Sequence, residues 1–141
     1  MARIYLLVDA DEHDAARTTQ LLCTIEPGCE VLYADSGQGA LSLLEERRVA
    51  PSLILADFAM RGMNMIQFLG AVRGRPWLDG VRVAILTRSV ADRDVVTCCR
   101  LGACAFVAKP ANRHELRDVI GEWARPAKAV ELDAPLRSLA A

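Results

Sequence analysis

Asp57, Thr87 and Lys109 each stand directly behind an apolar run. Asp57 ends Ser-Leu-Ile-Leu-Ala-Asp (52–57) and Thr87 ends Val-Arg-Val-Ala-Ile-Leu-Thr (81–87). Lys109 follows Ala-Cys-Ala-Phe-Val-Ala (103–108) and immediately precedes Pro110. Asp9, behind Ile-Tyr-Leu-Leu-Val (4–8), adds a second carboxylate. Short runs rich in Val, Ile and Leu, flanked by helical patterns, read as buried parallel strands. In an open α/β sheet, ligands bind outside the carboxyl ends of the strands. These carboxylates, the hydroxyl and the ammonium are therefore expected on one rim, a set suited to phosphoryl chemistry at a carboxylate.

The elements that must position them alternate strand and helix five times. A strand over about 3–8 is followed by a helix that starts behind Asp11, an N-cap with Asp14 three residues on, and ends near Glu26-Pro27-Gly28. Glu30–Ala34 reads as the second strand. Ser36-Gly37 opens a helix with an apolar stripe of Ala40, Leu41, Leu43 and Leu44. Pro51 stops it, and the third strand ends at Asp57. A loop from Phe58 to Met63 leads into a helix over about 64–73, broken by Gly74 and Pro76. After the fourth strand, a helix with Val95, Val96 and Cys99 on one face is expected, with Leu101-Gly102 as its C-cap. The last helix starts at the N-cap Asn112 and carries Leu116, Val119, Ile120 and Trp123 at helical spacing. Alternating strands and helices imply right-handed βαβ units and a parallel sheet covered on both faces.

The chain has 141 residues, enough for one domain with a real core, and is 52% hydrophobic and 25% charged, as in soluble globular proteins. A net charge of −1 gives no broad attraction to nucleic acid or to a membrane surface. No apolar run approaches a membrane span, and the apolar part of the N-terminus is too short for a signal peptide. The five cysteines include no C-x-x-C pair and read as small apolar fillers in a reducing cytoplasm. His13 and His114 lie at helix starts without a second ligand at metal-binding spacing, and no phosphate-cradling glycine loop is present. The segment 126–141 reads as a tail outside the domain at 1–125. A frayed terminus is the simpler reading of it; a short helical segment bearing Leu132, Leu136 and Leu139 is the alternative.

Leu-Leu-Val-Asp (6–9), Ala-Asp-Phe-Ala-Met-Arg-Gly-Met (56–63), Leu-Thr (86–87) and Gly-Ala-Cys-Ala-Phe-Val-Ala-Lys-Pro (102–110) are each weak signals. In this order and at this spacing, the chain over about 1–124 resembles the response-regulator receiver domain of two-component signalling. The resemblance implies a flavodoxin-like doubly wound (βα)5 three-layer sandwich with a five-stranded parallel sheet of order 2-1-3-4-5. It implies that Asp57 accepts a phosphoryl group from a histidine kinase or phosphotransfer protein, with Lys109 as counter-charge and Thr87 donating its hydroxyl. Phe106 takes the aromatic switch position beside Thr87, and the Lys109-Pro110 bond is expected to be cis. Mg2+ would be held by Asp9, Asp57 and the backbone carbonyl of Ala59.

The departures from the family pattern are equally specific. The usual pair of adjacent acids after the first strand reads Asp9-Ala10, and alanine coordinates nothing, so the Mg2+ site is expected to be weakened. Asp11 is a candidate substitute, although its N-cap role competes. Arg61 replaces the usual proline after the acceptor, and Arg88 replaces the small residue after the threonine. Arg88 either obstructs phosphoryl access or supplies a fixed cation in place of part of the metal charge; as a strand-exit residue it would only be solvated. The leading expectation is a cytoplasmic, phosphorylation-switched module, not an enzyme. It would act through protein contacts, without nucleic acid or membrane, as a homodimer. The alternatives are a pseudo-receiver that binds partners without phosphorylation and, on fold alone, a small enzyme or flavin carrier.

Overall fold

The computed structural model describes residues 2–89 and 92–131. The five apolar runs are strands: β1 (Ile4–Val8), β2 (Glu30–Ala34), β4 (Leu53–Asp57), β5 (Val83–Thr87) and β6 (Ala103–Ala108). Helices α1 (Glu12–Ile25), α2 (Gly37–Arg47), α3 (Met65–Arg73), α4 (Asp92–Arg100) and α5 (Arg113–Trp123) alternate with them. All pairings among these strands are parallel, in the order β2-β1-β4-β5-β6. That is the expected order 2-1-3-4-5, renumbered because an additional two-residue strand, β3 (Val49–Ala50), intervenes.

Side chains alternate along each strand between two cores. Leu6, Val8, Ile54, Ala56, Val83 and Ile85 pack beneath α2, α3 and α4 with Leu44, Phe68 and Cys98. Tyr5, Leu7, Leu53, Leu55, Ala84 and Leu86 pack beneath α1 and α5 with Leu22, Leu116 and Ile120. Each fully buried Leu, Ile or Val among them contributes about 1.5–3 kcal/mol, so the central strands anchor both cores. The helix starts follow local chemistry. Asp11, Ser36, Asn64 and Asn112 cap α1, α2, α3 and α5 by accepting backbone N–H bonds, and Asn64 and Gln67 form a reciprocal capping box.

Two expectations are corrected. In α4 the core-facing residue is Cys98, fully buried, while Val96 and Cys99 are exposed and Val95 is half-buried. The core-facing residues are Cys98 and Leu101, three apart on one face and one step off the Val95, Val96 and Cys99 face, because that is the side of α4 that meets the core beneath α2, α3 and α4. The reading of a frayed terminus from Pro126 fails for residues 126–131. Lys128–Ala129 forms β7, antiparallel to β3, the Val130 N–H donates to the Arg48 carbonyl at 2.8 Å, and Ala127 is buried. Leu132, Leu136 and Leu139 lie outside the described residues. Among the described residues no helix is long and apolar enough to cross a membrane.

Candidate functional site

The order of the sheet sets the site. β1, β4, β5 and β6 are consecutive neighbours, so the residues at their carboxyl ends, Asp9, Asp57, Thr87 and Lys109, lie along one rim. The strand order reverses between β1 and β4, and the crevice at such a switch point is where open α/β sheets bind ligands. A cleft of about 310 Å³ opens there, lined by Asp11, Asp14, Asp57, Ala59, Thr87, Arg88 and Lys109 among others.

Lys109 is the hub. Its ammonium lies 2.7 Å from Asp57 Oδ2, 2.9 Å from Asp9 Oδ2 and 2.9 Å from Asp14 Oδ2, with the lysine side chain only 5% exposed. Its placement is over-determined. The Lys109 N–H continues the sheet ladder to the Thr87 carbonyl at 2.9 Å, and the Lys109-Pro110 bond is cis. Glu115 of α5 reaches back to accept the Ala108 N–H at 2.8 Å. Burial acts to lower the lysine pKa, but the bonds to Asp57, Asp14 and Asp9 outweigh it and raise the value, so the ammonium is held charged.

Asp9 is fully buried, and both of its oxygens are engaged. Oδ1 accepts the Asp11 N–H and Oδ2 accepts Lys109, each at 2.9 Å. Burial pushes its carboxyl up, against the Asp11 and Lys109 bonds that favour the charged form. Tyr33 donates its hydroxyl to the Asp9 carbonyl at 2.7 Å and braces the same loop. Asp57 sits nearer the cleft, its Oδ1 accepting the Ala59 N–H at 3.1 Å and its Oδ2 accepting Lys109. Asp11 is spent as the α1 cap: its Oδ1 accepts the N–H groups of His13 and Asp14, which hold its carboxyl below the ordinary range.

The remaining candidates divide. The Thr87 hydroxyl is turned into its own loop, donating to the Ser89 carbonyl at 2.8 Å, rather than toward Asp57. Phe106 is half-buried against the core beneath α2, α3 and α4. Arg61 is exposed and does not line the cleft. Arg88 does: its guanidinium stands 3.0 Å from Asp14 Oδ2. His13 and His114 are both exposed, away from any ligand set.

Asp14 and Glu115 were not expected in the site. An acid in the first turn of a helix is already explained by the helix dipole, so Asp14 carries no separate signal in the sequence. Only the packing of α1 beside α5, which brings its first turn to the end of β6, turns it onto Lys109. For a dication the donor set is poor. Asp9 is occupied, Ala10 offers a methyl group, and among the described residues no group of three or more His, Cys, Asp or Glu side chains is arranged to hold a metal. Mg2+ needs a set of oxygen ligands in near-octahedral geometry, and with alanine at position 10 this rim offers one carboxylate fewer.

The model of the response regulator receiver domain matches residues 5–121. This chain belongs to the receiver-domain family. Receiver domains are phosphoacceptor modules of two-component signalling that interact with sensor histidine kinases and generally bind Mg2+ in the active site. The chain is 32% identical over 121 residues to the nitrate/nitrite response regulator protein NarP of Escherichia coli K12, covering 84% of this chain and 54% of NarP. It spans 15–56% of the length of the first curated relatives it matches. A putative response regulator from Chloroflexus aurantiacus superposes with a TM-score of 0.77 at 25% identity, over 89% of this chain and 100% of that one. The receiver domain of sensor histidine kinase PA1611 from Pseudomonas aeruginosa superposes with a TM-score of 0.75 at 22% identity, over 87% and 98%. In that structure a magnesium ion is coordinated in the active-site cleft.

Proposed function

We propose that Asp57 accepts a phosphoryl group from a phosphohistidine of a sensor histidine kinase or phosphotransfer protein, and that the domain then signals by protein contacts. The observation that carries this reading is the Lys109 ammonium at 2.7 Å from Asp57 Oδ2, at the mouth of a cleft that also holds Thr87. A carboxylate oxygen of Asp57 would form the O–P bond as the P–N bond to the imidazole breaks. The leaving imidazole keeps the electron pair and takes a proton from solvent. Lys109 offsets charge on the transferred group, which is what such a transfer asks of its site. The Thr87 hydroxyl would exchange the Ser89 carbonyl for a phosphoryl oxygen, drawing its loop inward while Phe106 follows.

Mg2+ binding is weakened in this reading, because position 10 is alanine and both oxygens of Asp9 are engaged. The module is cytoplasmic and not an enzyme in the ordinary sense. A homodimer through the α4 and α5 side fits Val96, which α4 leaves 51% exposed; a monomer mass by light scattering at high concentration counts against it.

The second reading, a pseudo-receiver that binds partners without phosphorylation, is favoured by the Asp14–Arg88 ion pair standing across the cleft. Intact mass after incubation with acetyl phosphate and Mg2+, beside Asp57→Asn, separates the two. An adduct on the wild type alone supports phosphorylation of Asp57. No adduct, with acetyl phosphate or with a kinase as donor, supports the pseudo-receiver.

A further inference from the structure

The geometry points to a handover in which Arg88 leaves Asp14 for the oxygens of a phosphoryl group entering the cleft, so that Asp14 acts as the resting-state holder of an anion clamp. The inference deepens the phosphoacceptor reading of Asp57 and rests on it for the identity of the anion.

One carboxylate oxygen, Asp14 Oδ2, faces two cations: Lys109 Nζ at 2.9 Å and Arg88 Nη2 at 3.0 Å. Lys109 is buried and held by two further carboxylates, so it cannot leave. Among the described residues Arg88 is held only by Asp14, and its side chain is 63% exposed, so it can. An exposed pair of this kind is weak and is readily outcompeted by a multiply charged oxyanion, which a guanidinium binds through two parallel N–H bonds. Both residues line the same cleft as Asp57. Arg88 follows Thr87 directly, so moving Arg88 toward Asp57 carries the Thr87 loop with it. The device joins Arg88, where this chain departs from the family pattern, to Asp14 in the first turn of α1.

The test is a titration of the full chain with inorganic phosphate, following the Arg88 side-chain Nε–Hε resonance and the dissociation constant. In the wild type the Arg88 resonance is expected to move with saturation. Asp14→Asn, which frees Arg88, should tighten phosphate binding about threefold, and Arg88→Ala should weaken it by about the same factor, the scale of an exposed pair. Arg88→Lys should recover part of the loss. The decisive comparison is the double variant: the gain from Asp14→Asn should shrink once Arg88 is alanine, because there is no clamp left to release. Arg88 is exposed, so its variants will fold; melting curves check Asp14→Asn. An equal gain in both backgrounds, an Arg88 resonance that ignores phosphate, or no phosphate binding at all overturns the handover. If the phosphate results hold while acetyl phosphate never modifies Asp57, the phosphoacceptor reading fails and the handover stands. If an adduct forms at Asp57 while phosphate binding is indifferent to Arg88, the reverse is true.

Discussion

Replacing Lys109 with methionine removes the one ammonium shared by Asp9, Asp14 and Asp57. The other two partners are cushioned: Asp14 keeps Arg88 and is 19% exposed, and Asp57 keeps the Ala59 N–H and is 11% exposed. Asp9 is 0% exposed and keeps only the Asp11 N–H. Breaking a buried pair by removing one partner costs about 3–5 kcal/mol. The carboxyl has an escape, because it can take up a proton. For an ordinary aspartic acid at pH 7 that costs about 4 kcal/mol, the gap of some three pH units at about 1.4 kcal/mol each. The Asp9 carboxyl is already raised by burial, so its escape is cheaper. We therefore expect Lys109→Met to lose about 3 kcal/mol at pH 7, the low end of that range, and less at pH 5, where the proton is more readily taken up. The sign follows from linkage: a carboxyl whose folded-state pKa is raised favours folding below the unfolded value near 3.9, and that benefit is lost as pH rises through the folded value. Urea denaturation of wild type, Lys109→Met, and Asp9→Asn with Lys109→Met, at pH 5, 6 and 7, measures it. The double variant should recover most of the loss at pH 7. A loss that does not change with pH, or a double variant no more stable than Lys109→Met, would falsify the assignment of the cost to Asp9.

The other predictions concern the metal, the terminus and the first helix. Ala10→Asp should tighten Mg2+ binding in a fluorescence or calorimetric titration by supplying the missing oxygen ligand; an unchanged titration refutes the explanation of the weakened site. Ending the chain at Arg125 removes β7, the Val130 to Arg48 bond and the burial of Ala127, and should cost about 1–2 kcal/mol by urea denaturation; equal stability would show that the β3–β7 pairing adds nothing. The depressed Asp11 carboxyl stabilises α1 above the free value near pH 3.9, a contribution lost as pH falls through its lower folded value. Asp11→Asn keeps the cap without the charge, so its melting temperature should fall less steeply than the wild type's between pH 4 and pH 2.

The sequence by itself determined the sheet and the rim. Apolar runs of strand length can be buried on both faces only in a helix-covered parallel sheet. The residues that follow such runs must emerge at one edge, so Asp9, Asp57, Thr87 and Lys109 were legible before any coordinates. Helix starts were equally legible, because a cap is a contact within a few residues: Asp11, Ser36, Asn64 and Asn112 do locally what their side chains allow. Features that depend on contacts between distant segments were decided by the tertiary structure alone. The α4 stripe shifted to Cys98 because the docking angle of a helix, not its composition, selects among adjacent apolar positions. The β3–β7 pairing needed two short segments far apart in the chain, neither carrying a strand signal of its own. Asp14 looked like an ordinary first-turn acid, yet the approach of α1 to the end of β6 makes it the third carboxylate on Lys109 and the partner of Arg88. Charge at a site is set by which side chains converge in space, and for long-range pairs that follows only from how the helices settle on the sheet.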